Sequence, residues 1–170
     1  MEEIVVGTDV HVPPDEAFAF LLDFPGYVQY SDYLTGIEQH GDGGSGTRYY
    51  LELSWWRLSY TASTEVTKID PPRRIDWRVL RAVDASGNWE VKSIDDGQSS
   101  DVRLHIRFDA DSADASVLNL PRFISISWVI DKLRPIVLNE AESTVERIVA
   151  DLEGERRPVD LHMQRRTIEE

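Results

Sequence analysis

Apolar and polar residues alternate along most of the first 110 positions of the chain, which is the pattern of half-buried β-strands. The alternation is cleanest at 101–109, where Val102, Leu104, Ile106 and Phe108 share one phase and charged residues occupy the other. One apolar phase per strand favours an antiparallel sheet with one solvated face. The predicted strands cover about 3–11, 34–40, 46–56, 58–69, 74–83, 88–95 and 100–109.

Glycine-containing polar segments separate these strands. Asp84–Gly87 and Asp95–Gln98 are typical of turns between strands. The segment Gly41–Gly46 matches the spacing G-x-G-x-x-G, but a strand pattern follows it where a dinucleotide site requires a helix. We therefore interpret 41–46 as a hairpin loop.

Three segments have helical signals. Pro13 and Pro14 begin a short apolar helix that ends near Asp23, and a second short helix follows at about 24–31. A third stretch runs from near Pro121 to Leu152, with a kink or a break expected at Pro135. Its apolar residues recur at helical spacing: Ile126, Ile130, Leu133, Val137, Ala141, Val145, Ile148 and Leu152.

The chain of 170 residues fits one domain with a substantial core. We place that domain at 1–153, because the stripe of the third helix ends there. Residues 154–170 are charged and weakly patterned, and we expect this tail to be mobile or loosely docked. One sheet, one long amphipathic helix and two short helices predict an α+β domain.

Two segments carry a family resemblance. The run Ile69–Trp77 places a double-proline turn between two strands, and Val12–Phe24 starts a helix with two prolines and two acids. Together they resemble the polyketide cyclase/dehydrase and lipid-transport family of the START-like (Bet v 1-like, SRPBCC) superfamily, over roughly residues 3–153. The resemblance implies a START-like helix-grip fold, in which a curved antiparallel sheet wraps around a long C-terminal helix, with two short helices after the first strand. It also implies a ligand cavity between that sheet and that helix.

The net charge is −13, and its acids are dispersed along the whole chain. Only Lys68, Lys92 and Lys132 are lysines, whereas the other 15 basic residues are arginines. Dispersed carboxylates with few lysines indicate a halophile that keeps molar salt in its cytoplasm, because carboxylates hold water and cations. The competing interpretation is a basic partner, for which no acidic cluster stands out. Without a basic stripe, this charge does not favour nucleic-acid binding.

The halophile interpretation predicts salt-dependent folding. Like charges on the surface repel less when the Debye length shrinks from about 10 Å at 0.1 M salt to about 3 Å at 1 M. Thermal unfolding in molar KCl should therefore have a markedly higher midpoint than unfolding in dilute buffer. Equal midpoints would remove the halophile interpretation.

Several classes of chemistry lack a sequence signal. The chain has no cysteine, so it forms no disulfide, and its four histidines show no metal-ligand spacing. We expect no cofactor and no metal.

No apolar run reaches 18 residues, and the N-terminus is acidic where a signal peptide would be basic. We expect a cytoplasmic protein without stable membrane insertion; its oligomeric state is left open.

The inward strand phases and the aromatic residues of the helices define a candidate cavity lining. Aromatic rings with N–H or O–H groups suit a flat apolar ligand. Arg81 shares the phase of Trp77 and Val79, which predicts an inward guanidinium near the edge of the face. The candidate ligand-binding residues are Tyr27, Tyr30, Leu51, Leu53, Trp55, Trp77, Val79, Arg81, Trp89, Val91, Leu104, Ile106, Phe108, Trp128, Ile130 and Leu133.

The leading functional hypothesis is binding or transport of a hydrophobic small molecule, such as a lipid, an isoprenoid quinone or a polycyclic aromatic. It rests on a cavity-forming fold without a nucleophile–base pair, metal cluster or cofactor motif. The alternative is a polyketide cyclase, aromatase or dehydratase in which Arg81 and cavity tyrosines stabilise developing charge. A third hypothesis is a module that binds another macromolecule through the sheet or the long helix.

Overall fold

The computed structural model describes residues 1–114, 116 and 120–169, except for the side chains at 126, 127, 130, 133, 134 and 136–138 of the long helix. The strands are β1 (Glu2–Val10), β2 (Leu34–His40), β3 (Arg48–Trp55), β4 (Leu58–Asp70), β5 (Arg74–Val79), β6 (Asp84–Ile94), β7 (Ser99–Asp109) and β8 (His162–Thr167). The α-helices are α1 (Pro14–Leu22) and α2 (Ile126–Glu153), and a 3₁₀ helix spans Phe24–Gln29.

All neighbouring strands pair antiparallel in one open sheet with the order β2-β3-β4-β5-β6-β7-β1-β8. The predicted α+β class is confirmed, and most strand ends lie within two residues of the predicted ones. Chain neighbours pair through hairpins from β2 to β7. The first strand then closes against β7, which places the two termini of the chain at one side of the sheet.

The connection between β5 and β6 differs from the prediction. β5 ends at Val79, and the turn lies at 80–83, where Ala82 adopts φ 77°. The predicted turn at Asp84–Gly87 is wrong, because these residues begin β6 and pair with β7. Two backbone N–H groups tie the true turn to the loop after β7: that of Asp84 donates to Ser112 Oγ at 2.8 Å, and that of Asp114 donates to the Ala82 carbonyl at 2.7 Å.

One face of the sheet carries the core. Helix α1 begins with Pro14 in its first turn, as predicted, and buries Ala17, Phe18 and Leu21. These residues share a cluster with sheet residues such as Ile75 and with the last turns of α2. Since α1, the 3₁₀ helix and the end of α2 lie on this one side, we call it the concave face. We call the other side the outer face.

Helix α2 is one continuous element from Ile126 to Glu153. It begins five residues after the predicted start at Pro121, because Ser125 caps it by accepting a hydrogen bond from the backbone N–H of Trp128 at 3.2 Å. The prediction at Pro135 was a kink or a break, and the helix is not broken there. Gly154 ends the helix with φ 72°, a left-handed conformation that glycine adopts readily. At 1.5 Å per residue α2 is about 42 Å long.

The C-terminal tail is ordered, which corrects the expectation of a mobile or loosely docked segment at 154–170. Residues His162–Thr167 form β8, an antiparallel edge strand along β1. Its anchor is electrostatic: Arg166 donates to the carboxylate of Glu3, and Arg165 donates to Glu2 at 2.6 Å. Apolar patterning did not reveal this strand because its pairing depends on arginines and on an open sheet edge.

The same contacts bury a carboxylate on the outer face. Glu3 is only 1% exposed. Its oxygens accept from Arg166 and from Nε of Arg107 at 3.2 Å, and Nδ1 of His105 lies 3.8 Å away. Burial alone would raise the pKa of Glu3, but the hydrogen bonds and positive charges of the two arginines outweigh it and hold the pKa below its ordinary value.

A second buried carboxylate joins α2 to the tail. Glu153 accepts from Arg157 Nε at 2.7 Å and from the backbone N–H of His11 at 3.0 Å. Burial again opposes ionisation, and the hydrogen bonds from Arg157 and His11 lower the pKa of Glu153 below its ordinary value. Arg157 also donates to the Asp9 carbonyl at 3.0 Å, so this carboxylate holds β1, α2 and the tail together.

These two carboxylates predict acid-sensitive stability. A folded-state pKa below the ordinary 4.5 adds stability above that pH, and this contribution is lost as pH falls through the folded-state pKa. Thermal unfolding between about pH 6 and pH 3 should therefore show a steep loss of the wild-type midpoint, and Glu3→Gln should show a smaller one. The exposed Glu16→Gln is the control and should follow the wild type. Parallel curves for wild type and Glu3→Gln would contradict the assignment.

Candidate functional site

The ten sheet residues predicted to line a cavity share the concave face. Residues directly opposite each other in a sheet point to the same side. Trp77 lies opposite Gly87 and Val66, and Leu104 lies opposite Trp89. The stacking of Phe24 on Tyr49, with ring centroids 4.7 Å apart, assigns this phase to the helix side. The ten residues are Leu51, Leu53, Trp55, Trp77, Val79, Trp89, Val91, Leu104, Ile106 and Phe108.

This face changes from packed to open along β3 and β5. On β5, Ile75 is fully buried, whereas Trp77 and Val79 are half-buried. On β3, Tyr49 is buried, and Leu53 is 37% exposed. The buried residues lie under α1 and the 3₁₀ helix, so the open part of the face lies beyond them, toward the β3–β4 hairpin. An apolar surface that the described parts of the fold leave incompletely covered is suited to an apolar ligand.

Trp77 lies across the concave face and covers its neighbour Gly87. A Cβ atom at Gly87 would lie 2.9 Å from Cε2 of Trp77, and closer still to Cζ2 and to the backbone carbonyl oxygen of His105. Only glycine leaves room for the indole here. The ring therefore rests on β6 and presents an aromatic platform in the middle of the face.

Strand β4 contributes residues that sequence analysis missed. Leu58, Tyr60 and Ala62 lie opposite Trp55, Leu53 and Leu51, and hence belong to the concave face. Their signal was weak because Tyr, Ala and Thr on one phase alternate with Ser and Thr on the other. Burial raises the pKa of the Tyr60 hydroxyl, and nearby Arg81 opposes the shift.

Arg81 does not occupy the predicted strand position. It lies two residues beyond the end of β5, in the turn, and its side chain is exposed. The predicted strand placement of Arg81 is therefore wrong, whereas its positive charge still lies near the Tyr60 hydroxyl at the edge of the concave face. Tyr60 donates its hydroxyl hydrogen bond, at 3.4 Å, to the backbone carbonyl of Arg81, and not to any group of its side chain.

Tyr27 and Tyr30 lie at the packed end of the concave face. The ring of Tyr27 contacts Phe20 and Phe24, and its hydroxyl donates to the carbonyl of Leu21. Tyr30 donates to Oδ2 of Asp151 on α2 at 2.7 Å. Burial first, and then the hydrogen bond and charge of Asp151, raise the pKa of Tyr30 to about 12. Both hydroxyls are thus engaged by the protein.

The open end of the face carries a group of tryptophans. Trp55 and Trp56 have ring centroids 6.3 Å apart at the β3–β4 hairpin, and Trp56 lies 6.0 Å from Trp128 at the start of α2. The structure thus brings Trp128 to the rim of the concave face. The predicted lining residues Ile130 and Leu133 lie outside the described side chains, and their role stays a prediction.

Two kinds of feature are absent from the described residues. No helix among them is long and apolar enough to cross a membrane. No group of three or more His, Asp or Glu side chains among them is arranged to hold a metal ion.

Comparisons with known proteins agree with this geometry. No curated protein matches the chain. The solved structure of the Zhui aromatase/cyclase from Streptomyces sp. R1128 is similar with a TM-score of 0.64 at 18% identity, covering 90% of this chain and 94% of that one. Ara h 8.0201 has a TM-score of 0.62 at 14% identity, covering 91% and 100%.

A START superfamily protein from Mycobacterium smegmatis also has a TM-score of 0.62 at 14% identity, covering 89% of this chain and 99% of that one. These likenesses confirm the START-like helix-grip fold. The family model described as polyketide cyclase/dehydrase and lipid transport matches residues 1–153. By that match, this chain belongs to the polyketide cyclase/dehydrase and lipid-transport family.

Proposed function

We propose that this protein binds a hydrophobic small molecule between the concave face and α2 and releases it unchanged. The observation that carries the proposal is the gradient along the strands, from fully buried Ile75 to half-buried Trp77 and Leu53 at 37% exposure. A domain with no ligand to bind would gain stability by covering these side chains, at about 25 cal/mol for each Å² buried.

The lining favours a ligand with flat rings. The indole of Trp77 rests on Gly87, and Trp89 follows two residues farther along the same strand. Aromatic pairs prefer offset-stacked or edge-to-face contacts. A polycyclic aromatic or the head of an isoprenoid quinone fits such a platform, and a chain of methylenes could extend toward the open end at Leu53.

The alternative function, a cyclase or dehydratase, receives less support. It required an inward guanidinium to polarise a carbonyl group of the substrate. Arg81 is exposed in the turn beyond β5, and its hydrogen bond with Tyr60 runs through its backbone carbonyl, although its positive charge lies near the Tyr60 hydroxyl. Among the side chains that the structure describes at the open end, Tyr60 is a polar group to which an enzymatic role could be assigned.

The test is ligand titration with a blocking variant. Decylubiquinone, menadione and hexadecane serve as probes, and binding is followed by equilibrium dialysis and by quenching of tryptophan fluorescence. Val79→Trp narrows the concave face and should abolish binding of both quinones, and overpacking should cost ~1–3 kcal/mol of stability. Thr61→Trp, which adds the same bulk at an exposed position on β4, is the matched control and should bind like the wild type.

Two results would contradict the proposal. The first is equal binding by Val79→Trp and Thr61→Trp, which would place the ligand elsewhere. The second is recovery of a chemically altered ligand, which would favour the enzymatic alternative. Mass spectrometry of the recovered quinone distinguishes a carried ligand from a converted one.

A further inference from the structure

The aromatic tip consists of Trp56, Phe123 and Trp128, at the end of the domain opposite the packed core. Their exposures are 58%, 84% and 38%. Trp56 lies in the β3–β4 turn and contacts Trp128 of α2, while Phe123 lies in the segment that leads into α2. Of the six large apolar residues exposed in the described part of the chain, these three and Leu53 lie at this end, so the exposure is concentrated.

The backbone at Trp56 holds its indole outward against a local preference. Trp56 and Arg57 form the two-residue turn between Trp55 and Leu58. Trp56 has φ 52°, in the left-handed region that Gly or Asn normally occupies in such turns. Trp56 is not among the residues of the buried core, and a tryptophan in a strained, exposed turn position points to a role outside the fold.

Positive charge surrounds the aromatic tip although the whole chain is acidic. The guanidinium carbon of Arg57 lies 5.3 Å from the ring centroid of Trp56, and Nζ of Lys132 lies 5.9 Å from that of Trp128. Residues 53–62 and 120–139 together contain four basic residues and one acid. Because the chain has 18 basic and 31 acidic residues, the remaining positions carry a net charge of −16.

The aromatic tip is continuous with the candidate ligand site. Trp55 on β3 and Leu58 on β4 are the last residues of the concave face before the turn. Leu53 precedes Trp55 on β3 and lies on the same face. A molecule that enters from the tip would therefore meet apolar side chains without crossing a polar rim of the sheet.

We propose that the aromatic tip docks on the surface of a bilayer that contains anionic phospholipids. Indole rings favour the boundary between headgroups and acyl chains, and Arg57 and Lys132 would meet the lipid phosphates. A stable protein interface buries about 800 Å² on each partner, with 20–30 residues a side. Three exposed aromatic rings and their flanking cations are too few for that area, whereas they suffice for peripheral attachment to a membrane.

The test measures partitioning of the full chain onto vesicles. Vesicles of phosphatidylcholine, with and without about one third phosphatidylglycerol, are sedimented with the protein at about 0.1 M and 1 M salt. Wild type should bind the anionic vesicles, more tightly at low salt. The double variant Trp56→Ser/Trp128→Ser should reduce partitioning at least about tenfold, because it lacks the two indole rings that would move from water into the bilayer interface. Arg57→Gln with Lys132→Gln should reduce it about tenfold at low salt and little at 1 M.

The control is Met163→Ser, which removes an equally exposed apolar side chain on β8, far along the chain from the tip. It should bind vesicles like the wild type, and thermal unfolding shows which variants stay folded. Absence of wild-type binding to anionic vesicles overturns the proposal, and so does equal binding by the tryptophan variant. Loss of a dimer in Trp56→Ser, without vesicle binding by the wild type, would assign the tip to a second copy and also overturn it. Binding needs no carried ligand, so this test and the quinone titration fail independently.

Discussion

Gly87→Ala should destabilise the domain by about 3 kcal/mol and lower the melting temperature by roughly 10 °C. The added Cβ would enter the space between the Trp77 indole and the backbone carbonyl of His105. The indole can turn away, but the carbonyl belongs to the ladder between β6 and β7 and can move only with the strand. Thermal unfolding followed by circular dichroism measures the effect.

Gly36→Ala is the matched control, since it adds the same methyl group to a strand glycine. There the new atom would meet Oε2 of Glu52 at 2.9 Å, the far end of a side chain that can rotate away. Trp77→Leu in the Gly87→Ala background should restore only part of the stability, because the His105 carbonyl remains. An unchanged midpoint for Gly87→Ala would show that the indole does not rest on β6.

Deleting residues 155–170 should have the second large effect. It removes Arg166 from Glu3 and Arg157 from Glu153, and thus leaves two buried carboxylates short of partners. Removing one partner of a buried ion pair typically costs ~3–5 kcal/mol, a figure that applies to Glu153 and Arg157, whereas the pair of Glu3 with the exposed Arg166 contributes less. The melting temperature should therefore fall by roughly 10 °C. Differential scanning calorimetry of the full and shortened chains checks the result.

Single substitutions distinguish the stability that the deletion loses with the ion pairs from the stability that it loses with the pairing of β8. Arg166→Gln should reproduce part of the loss, whereas Arg156→Gln, at an exposed residue of the same tail, should be nearly neutral. Adding Glu3→Gln to the shortened chain should recover part of the stability, since it removes one unpaired charge. A shortened chain that melts like the wild type would show that β8 contributes little to the fold.

The strands were predictable because one face of the sheet meets an apolar core and the other meets charge. Residues 101–109 alternate between charged and apolar side chains at every position, and the pairing of β7 with β6 places the two kinds of side chain on opposite faces. The prediction of secondary structure was wrong where a residue type has two possible causes, a turn or close packing inside a strand. Asp84–Gly87 has the composition of a turn, yet Gly87 is a strand residue whose missing side chain makes room for Trp77.

Electrostatic features were the least predictable. In sequence, Glu3 is a charged residue on the polar phase of a strand, for which solvent exposure is the ordinary expectation. Its burial depends on Arg166, which is 163 positions away, and no local pattern encodes such a distance. The predicted strand position of Arg81 was wrong for a related reason, because the alternation of a strand gives no information about residues beyond its last paired position.

The candidate site was predictable as a face but not as a cavity. Alternation identified ten residues on the concave face, and it missed Tyr60 and its neighbours on β4, where small and polar residues blur the two phases. The aromatic tip could have been suspected from two adjacent tryptophans at a turn. Its contact with Trp128 required the path of α2, which no sequence pattern specifies.

The position of β1 has a consequence for synthesis on the ribosome. Of the eight strands that the structure describes, the first to be made pairs with the last two, β7 and β8. Residues 2–10 must therefore wait, with both edges unpaired, until β7 has left the exit tunnel, and one edge stays unpaired until β8 follows. Long-range pairing of this kind slows folding, and an unpaired apolar strand is a template for aggregation. Nascent chains of this protein should consequently depend on chaperones until translation reaches the tail.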